Sequence, residues 1–90
     1  MKIEIADLIT RPDGKYITLD VTNYEGKNYA FTNKLTDDEN EEPTEEFYVF
    51  TVINEKIEKI TDENLINKLL PIFQKNLEIE FKKIMEDNNK

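Results

Sequence analysis

The apolar positions of this chain change period once, near residue 60. Before it they alternate. Ile3, Ile5 and Ile9 are separated by polar residues, apart from Leu8, and predict a first strand. Arg11-Pro12-Asp13-Gly14 reads as a turn, because proline presets φ, aspartate can bond the backbone and glycine accepts a positive φ. Ile17, Leu19 and Val21 then alternate with Tyr16, Thr18, Asp20 and Thr22, the pattern of a half-buried strand rich in β-branched residues. Tyr24-Glu25-Gly26-Lys27 is a second tight turn, and Tyr29, Phe31, Asn33 and Leu35 form the return face of its hairpin. The most apolar stretch is Phe47–Ile53. Both of its faces are apolar, so it is expected to be a central strand covered on both sides, or covered on one side and dimerised on the other. Asn54-Glu55-Lys56 is a turn, and Ile57–Ile60 is a short last strand.

Beyond residue 60 the period becomes helical. Thr61 or Asp62 suits an N-cap, and Asp62 and Glu63 suit the positive end of a helix dipole. Ile66, Leu69, Leu70, Phe73, Leu77, Phe81 and Ile84 share one helix face, and Leu65, Ile72 and Ile79 widen it. Pro71 has no N–H for the Asn67 carbonyl and crowds that turn, so the helix bends there, or two helices meet with Pro71 near the second start. The tail from Asp87 is polar and is expected to fray. The expected fold is α+β: a single domain over residues 1–90, with a small, mostly antiparallel sheet of four to five strands over about residues 2–60. A helical region over about 62–87, bent near Pro71, packs on one face of it.

Charge changes this picture at one place. Residues 37–46 hold seven acids and no base: Asp37, Asp38, Glu39, Glu41, Glu42, Glu45 and Glu46. The segments before and after are close to neutral, so this run supplies nearly all of the net charge of −8. Pro43 excludes the run from a sheet interior, and it is expected to be a loop inserted between two strands. Such a run is either purely solvating or a surface for a basic partner. It could also imitate a row of phosphates and enter the basic groove of an enzyme that handles nucleic acid. Direct binding to nucleic acid or to an anionic membrane is excluded by the sign of the charge.

Composition removes most chemistry. The chain has no Cys and no His, so it lacks a thiolate, a disulfide, the usual general base and the usual metal ligands. Its two glycines, Gly14 and Gly26, make no phosphate-binding loop. Carboxylates are plentiful, but catalysis needs a walled pocket that separates their pKa values, and these crowd a solvated run or dot a helix surface. A calcium loop counted from Asp37 meets Glu42 at the sixth position, where glycine is required. The aromatic residues around Phe47 lack the interleaved bases of a stacking platform for nucleic-acid bases, and core packing and cross-strand pairing explain them better. No catalytic, cofactor-binding or metal-ligating residue is therefore expected.

Ninety residues bury only about 60–65% of the surface of the unfolded chain, so self-association would relieve a shortage of core. The helical stripe outruns a small sheet, which makes Phe81, Ile84 and Met85 the candidate dimer surface. Met1–Thr10 does not read as a signal peptide and no stretch is apolar enough to span a bilayer, so the expected compartment is the cytosol. Lys outnumbers Arg eleven to one, and Ile and Asn are abundant, a bias towards AT-rich codons that points to a low-GC genome, bacterial or phage.

Three stretches together, Tyr24–Phe31, Glu42–Val52 and Asp62–Leu77, resemble the YrzB-like family of small acidic proteins of low-GC Gram-positive bacteria and their phages. The likeness lies in a Tyr-x-Gly-Lys-x-Tyr hairpin, an acidic loop, a strand similar to EEFYVF and a C-terminal helix, and it covers roughly residues 13–80. It implies a cytosolic, non-enzymatic protein and brings no functional residues with it. The expected function is protein–protein binding without catalysis, with the acidic run as the contact. The alternative is an inhibitor encoded by a phage or mobile element that mimics nucleic acid.

Overall fold

Three tight turns and one longer loop divide the first two thirds of the chain into five strands. The computed structural model describes the backbone of residues 2–88 and the side chains of residues 2–79. The strands are β1 (Leu8–Arg11), β2 (Gly14–Tyr24), β3 (Lys27–Leu35), β4 (Pro43–Ile53) and β5 (Lys56–Lys59), followed by one helix, α1 (Glu63–Asn88). All pair antiparallel with their chain neighbours, in the order β1-β2-β3-β4-β5. Glu25 and Gly26, and likewise Asn54 and Glu55, have positive φ at the two central positions of their hairpins. That geometry matches the right-handed twist of the flanking strands.

The sheet is curled. β1 and β5 are its two edges, yet the Arg11 guanidinium donates to the Ile57 carbonyl at 2.7 Å and the Lys59 ammonium to Asp13 Oδ2 at 2.7 Å. Side chains therefore bridge the edges where backbone pairing stops. Inside the curl lie Ile3, Ile9, Tyr16, Ala30 and Phe50, with Val21, Tyr48, Val52 and Ile57 packed against them. On the opposite face α1 adds Leu69 and Phe73 to Tyr29 and Val49, joined by Tyr24, Phe31, Ile60 and Leu65. The middle of β4 is thus covered on both sides, as its composition predicts.

Several expectations change. The first strand is only Leu8–Arg11: Ile3 reaches the core from outside any strand, and Ile5 is exposed. In β2 the inward residues are Tyr16 and Thr18 rather than Ile17 and Leu19, which are half-buried. The cause is long-range, since the curl places the ring of Tyr16 against Phe50 at 4.9 Å. A bulge at Leu19 then shifts the phase, because Thr18 faces Thr32 while Asp20 faces Phe31. It turns Asp20 towards α1, where the Asn76 amide donates to it at 3.0 Å.

The acidic run is not wholly a loop. β4 begins at Pro43, and the first residue of a strand is a position where a missing N–H is tolerated, so Glu45 and Glu46 belong to the sheet. The helix starts where the sequence predicts: Asp62 Oδ1 accepts from the N–H groups of Asn64 at 3.0 Å and Leu65 at 3.4 Å. It is one helix with Pro71 inside it, not two. The expected dimer residues Phe81, Ile84 and Met85 lie outside the described side chains.

Candidate functional site

The seven acids of residues 37–46 divide by role once folded. Asp38 holds the loop together: its Oδ1 accepts from the Thr36 hydroxyl at 2.8 Å and the Asn40 N–H at 3.0 Å. The Thr36 hydroxyl in turn accepts from the Glu42 N–H at 3.0 Å, and the Thr36 N–H donates to the Glu42 carbonyl at 2.8 Å. These bonds hold the carboxyl of Asp38 below its usual range, first through the Thr36 hydroxyl. Glu41 pairs with Lys15 across the neighbouring strand. Glu46 accepts from the Tyr48 hydroxyl at 2.9 Å, which raises the phenol because ionisation would set two negative charges side by side.

The strand end of the run is fixed by one buried side chain. The Asn33 amide donates to the carbonyls of Thr44 at 2.8 Å and Glu46 at 3.0 Å. The ladder is irregular here, passing from Asn33 opposite Phe47 to Leu35 opposite Pro43. Asp37, Glu39, Glu42 and Glu45 are left exposed, and none of them takes part in a side-chain hydrogen bond or ion pair among the described residues.

Two of the three lysines at this end of the molecule are engaged, and the third, Lys34 opposite Tyr16 on β3, makes no ion pair among the described residues. Lys15 is held by Glu41, and Lys59 by Asp13. The Lys59 ammonium also lies 4.4 Å from the centre of the Tyr48 ring and donates to the Tyr16 hydroxyl at 3.3 Å. Arg11 stands over Phe50 at 5.3 Å, with its Nε 3.4 Å from Asp13 but outside hydrogen-bonding geometry. This cluster closes the mouth of the curl over an aromatic floor. Its lysine is raised and Asp13 is lowered to about 2, each chiefly by the hydrogen bond to the other.

A paired lysine and carboxylate held so far apart in pKa cannot exchange a proton near neutrality, so the cluster is a latch rather than an acid–base pair. Because the folded carboxyl is depressed, its contribution is present above pH ~4 and is lost as pH falls towards ~2. Carboxyl titration by NMR should find Asp13 ionising near 2, and Lys59→Met should return it towards the model-compound value of 3.8. An unmoved Asp13 in that variant would show the latch to be unpaired in solution.

No group of three or more ligating residues is placed to hold a metal ion among the described residues, and none of the described helix residues forms a segment long and apolar enough to cross a membrane. A polar hollow of about 300 Å³ lies between the β1–β2 turn and the acidic loop. An apolar groove of about 290 Å³ lies between β4 and α1, lined by Phe31, Phe47, Val49, Ile60, Ile66 and Leu70 among others. Phe47 is 51% exposed and Leu70 41%. The sequence assigns Phe47 to cross-strand pairing and core packing: the pairing is present, with Phe31 stacked on it at 5.4 Å, but the ring does not have the expected burial. The only available signal against burial is its position at the outer end of the apolar run, directly after Glu46. Scans against protein-family models, curated proteins and solved structures give no match for the chain.

Proposed function

We propose that this is a non-enzymatic protein of the cytosol that binds a basic protein partner through its acidic loop. One observation carries the proposal: Asp37, Glu39, Glu42 and Glu45 are exposed on an anchored segment and make no side-chain hydrogen bond or ion pair among the described residues, while Lys15 and Lys59 are held by Glu41 and Asp13. The loop is braced by Asp38, Thr36 and Asn33, so little ordering entropy opposes docking. The field of the four free carboxylates speeds encounter with a positive surface, and salt weakens it. A bend of α1 at Pro71, where the Asn67 carbonyl lacks its donor, belongs to the proposal as well.

The test is a pull-down from a low-GC bacterial lysate. It compares the native chain with a variant carrying Asp37→Asn, Glu39→Gln, Glu42→Gln and Glu45→Gln. Asp38, Glu41 and Glu46 stay, because they hold the fold. A basic partner should be retained by the native chain, released by salt and lost with the variant, whose stability should be unchanged or slightly raised as like charges are removed. Identical retention by both would remove the loop from the binding surface. A captured nuclease or other DNA-handling enzyme, displaced by competing DNA, would favour the inhibitor that mimics nucleic acid.

A further inference from the structure

We infer that the groove between β4 and α1 receives a bulky apolar side chain of the partner, flanked by lysine or arginine: the loop supplies the field and the groove supplies the anchor. This rests on the proposed binding role of the acidic loop and names what that loop would bind. The groove is shaped and apolar. Phe31 and Phe47 stack at 5.4 Å along its sheet side, and Ile66 and Leu70 form its helix side. A volume of about 290 Å³ suits one or two side chains rather than a cofactor.

Its rim is acidic on three elements. Glu45 lies two residues before Phe47, Glu58 stands two residues before Ile60, and Glu63 lies one helical turn before Ile66. Glu58 is paired across the ladder with Thr51, which places it on the helix side of the sheet. The nearby cations point elsewhere. Lys59 closes the opposite face, Lys56 is paired with Ile53 at the far end of β4, and Lys68 lines a separate hollow beside Tyr24 and Leu65.

Charge therefore selects the occupant. A second copy of this chain would bring the same carboxylates to the same rim, and like charges across an interface are repelled. An apolar anchor carried among basic residues is complementary on both counts. The start of β4 at Pro43 makes the two features continuous, because it ties the end of the acidic run to the strand that carries Phe47.

The experiment measures binding of the full chain to an array of short model peptides. The central residue is Gly, Ala, Leu or Phe, and the flanking residues are Lys, Ser or Glu. Peptides with Leu or Phe between lysines should bind best. Phe47→Ser and Leu70→Gln should each weaken them by about tenfold or more, the size of a side chain central to an interface. Both positions are exposed, and unchanged circular dichroism confirms that each variant is folded. Glu58→Gln with Glu63→Gln should reduce the preference for lysine.

If binding ignores the central residue and both groove variants but is lost in the four-acid variant, the groove inference is overturned and the loop keeps its role. Loss in the groove and rim variants, with the four-acid variant unchanged, supports the groove and removes the loop. Preference for Glu-flanked peptides, self-association through Phe47, or no binding to any peptide overturns the inference.

Discussion

Phe50→Ala should cost about 3–5 kcal/mol of folding stability, the range for a large aromatic side chain removed from a core that cannot collapse. Phe50 has no exposed surface and occupies the centre of the curl. Tyr16 meets it nearly edge-on at 4.9 Å, and the Arg11 guanidinium caps it at 5.3 Å. Relaxation into the void is opposed by the ties that set the curvature, Arg11 to the Ile57 carbonyl and Lys59 to Asp13. Small domains have a total stability of about 5–15 kcal/mol, and a 90-residue chain belongs at the low end, so this single change removes a large share. Equilibrium urea unfolding should show a midpoint lower by roughly 2 M or more, or no folded baseline at all. A loss below about 1 kcal/mol would mean that the inside of the curl is not a packed core and that α1 alone supplies the stability.

That core was the least legible part of the fold. Local features could be read directly. The turns at Pro12-Asp13, Glu25-Gly26 and Asn54-Glu55 rest on short-range backbone preferences, and the Asp62 cap on one side chain and two N–H groups. Alternation identifies a strand but not which of two apolar faces turns inward. In β2 the β-branched face of Ile17 and Leu19 competes with Tyr16 and Thr18, and the second wins because the curl brings Phe50, on β4, to Tyr16. The phase reverses again at Leu19, since a bulge is a property of two strands in register and not of one sequence.

The acidic run is visible in the sequence because charge needs no partner to be seen, although its last four residues belong to β4 rather than to a loop. Its division was not legible. Which acid braces the loop, which is paired and which stays free depends on Thr36, Lys15, Asn33 and Tyr48, four residues outside the run. Phe47 has its expected cross-strand partner, Phe31, but not the expected burial, for the related reason that a strand's apolar run can outlast the cover above it. The half-exposed ring becomes one wall of a groove whose other wall is Ile66 and Leu70.

Phe73→Ala should cost a similar amount, about 3–5 kcal/mol, but by a different route. Phe73 is 1% exposed and stacks on Phe31 at 5.2 Å. With Leu69 it is the main attachment of α1 to the sheet, and the Asn76–Asp20 hydrogen bond is the other tie on the β2 side. The helix has little stability of its own: isolated helices rely on packing, and Pro71 removes one rung from this one. The side chains inside the curl do not touch Phe73, so the sheet keeps its own cluster when the helix loosens. Native-state hydrogen exchange should therefore show the amides of residues 67–79 losing protection before those of β2, β3 and β4. In Phe50→Ala the strands should lose it as well. Equal loss everywhere in Phe73→Ala would show that the two faces fold as one unit. The variant also separates the two parts of the binding surface. The groove exists only while Ile66 and Leu70 are docked beside Phe47, whereas the acidic loop is braced within the sheet. Phe73→Ala should thus lose the preference for an apolar anchor while retaining attraction to lysine-rich peptides, a pattern that loss of global folding would not produce.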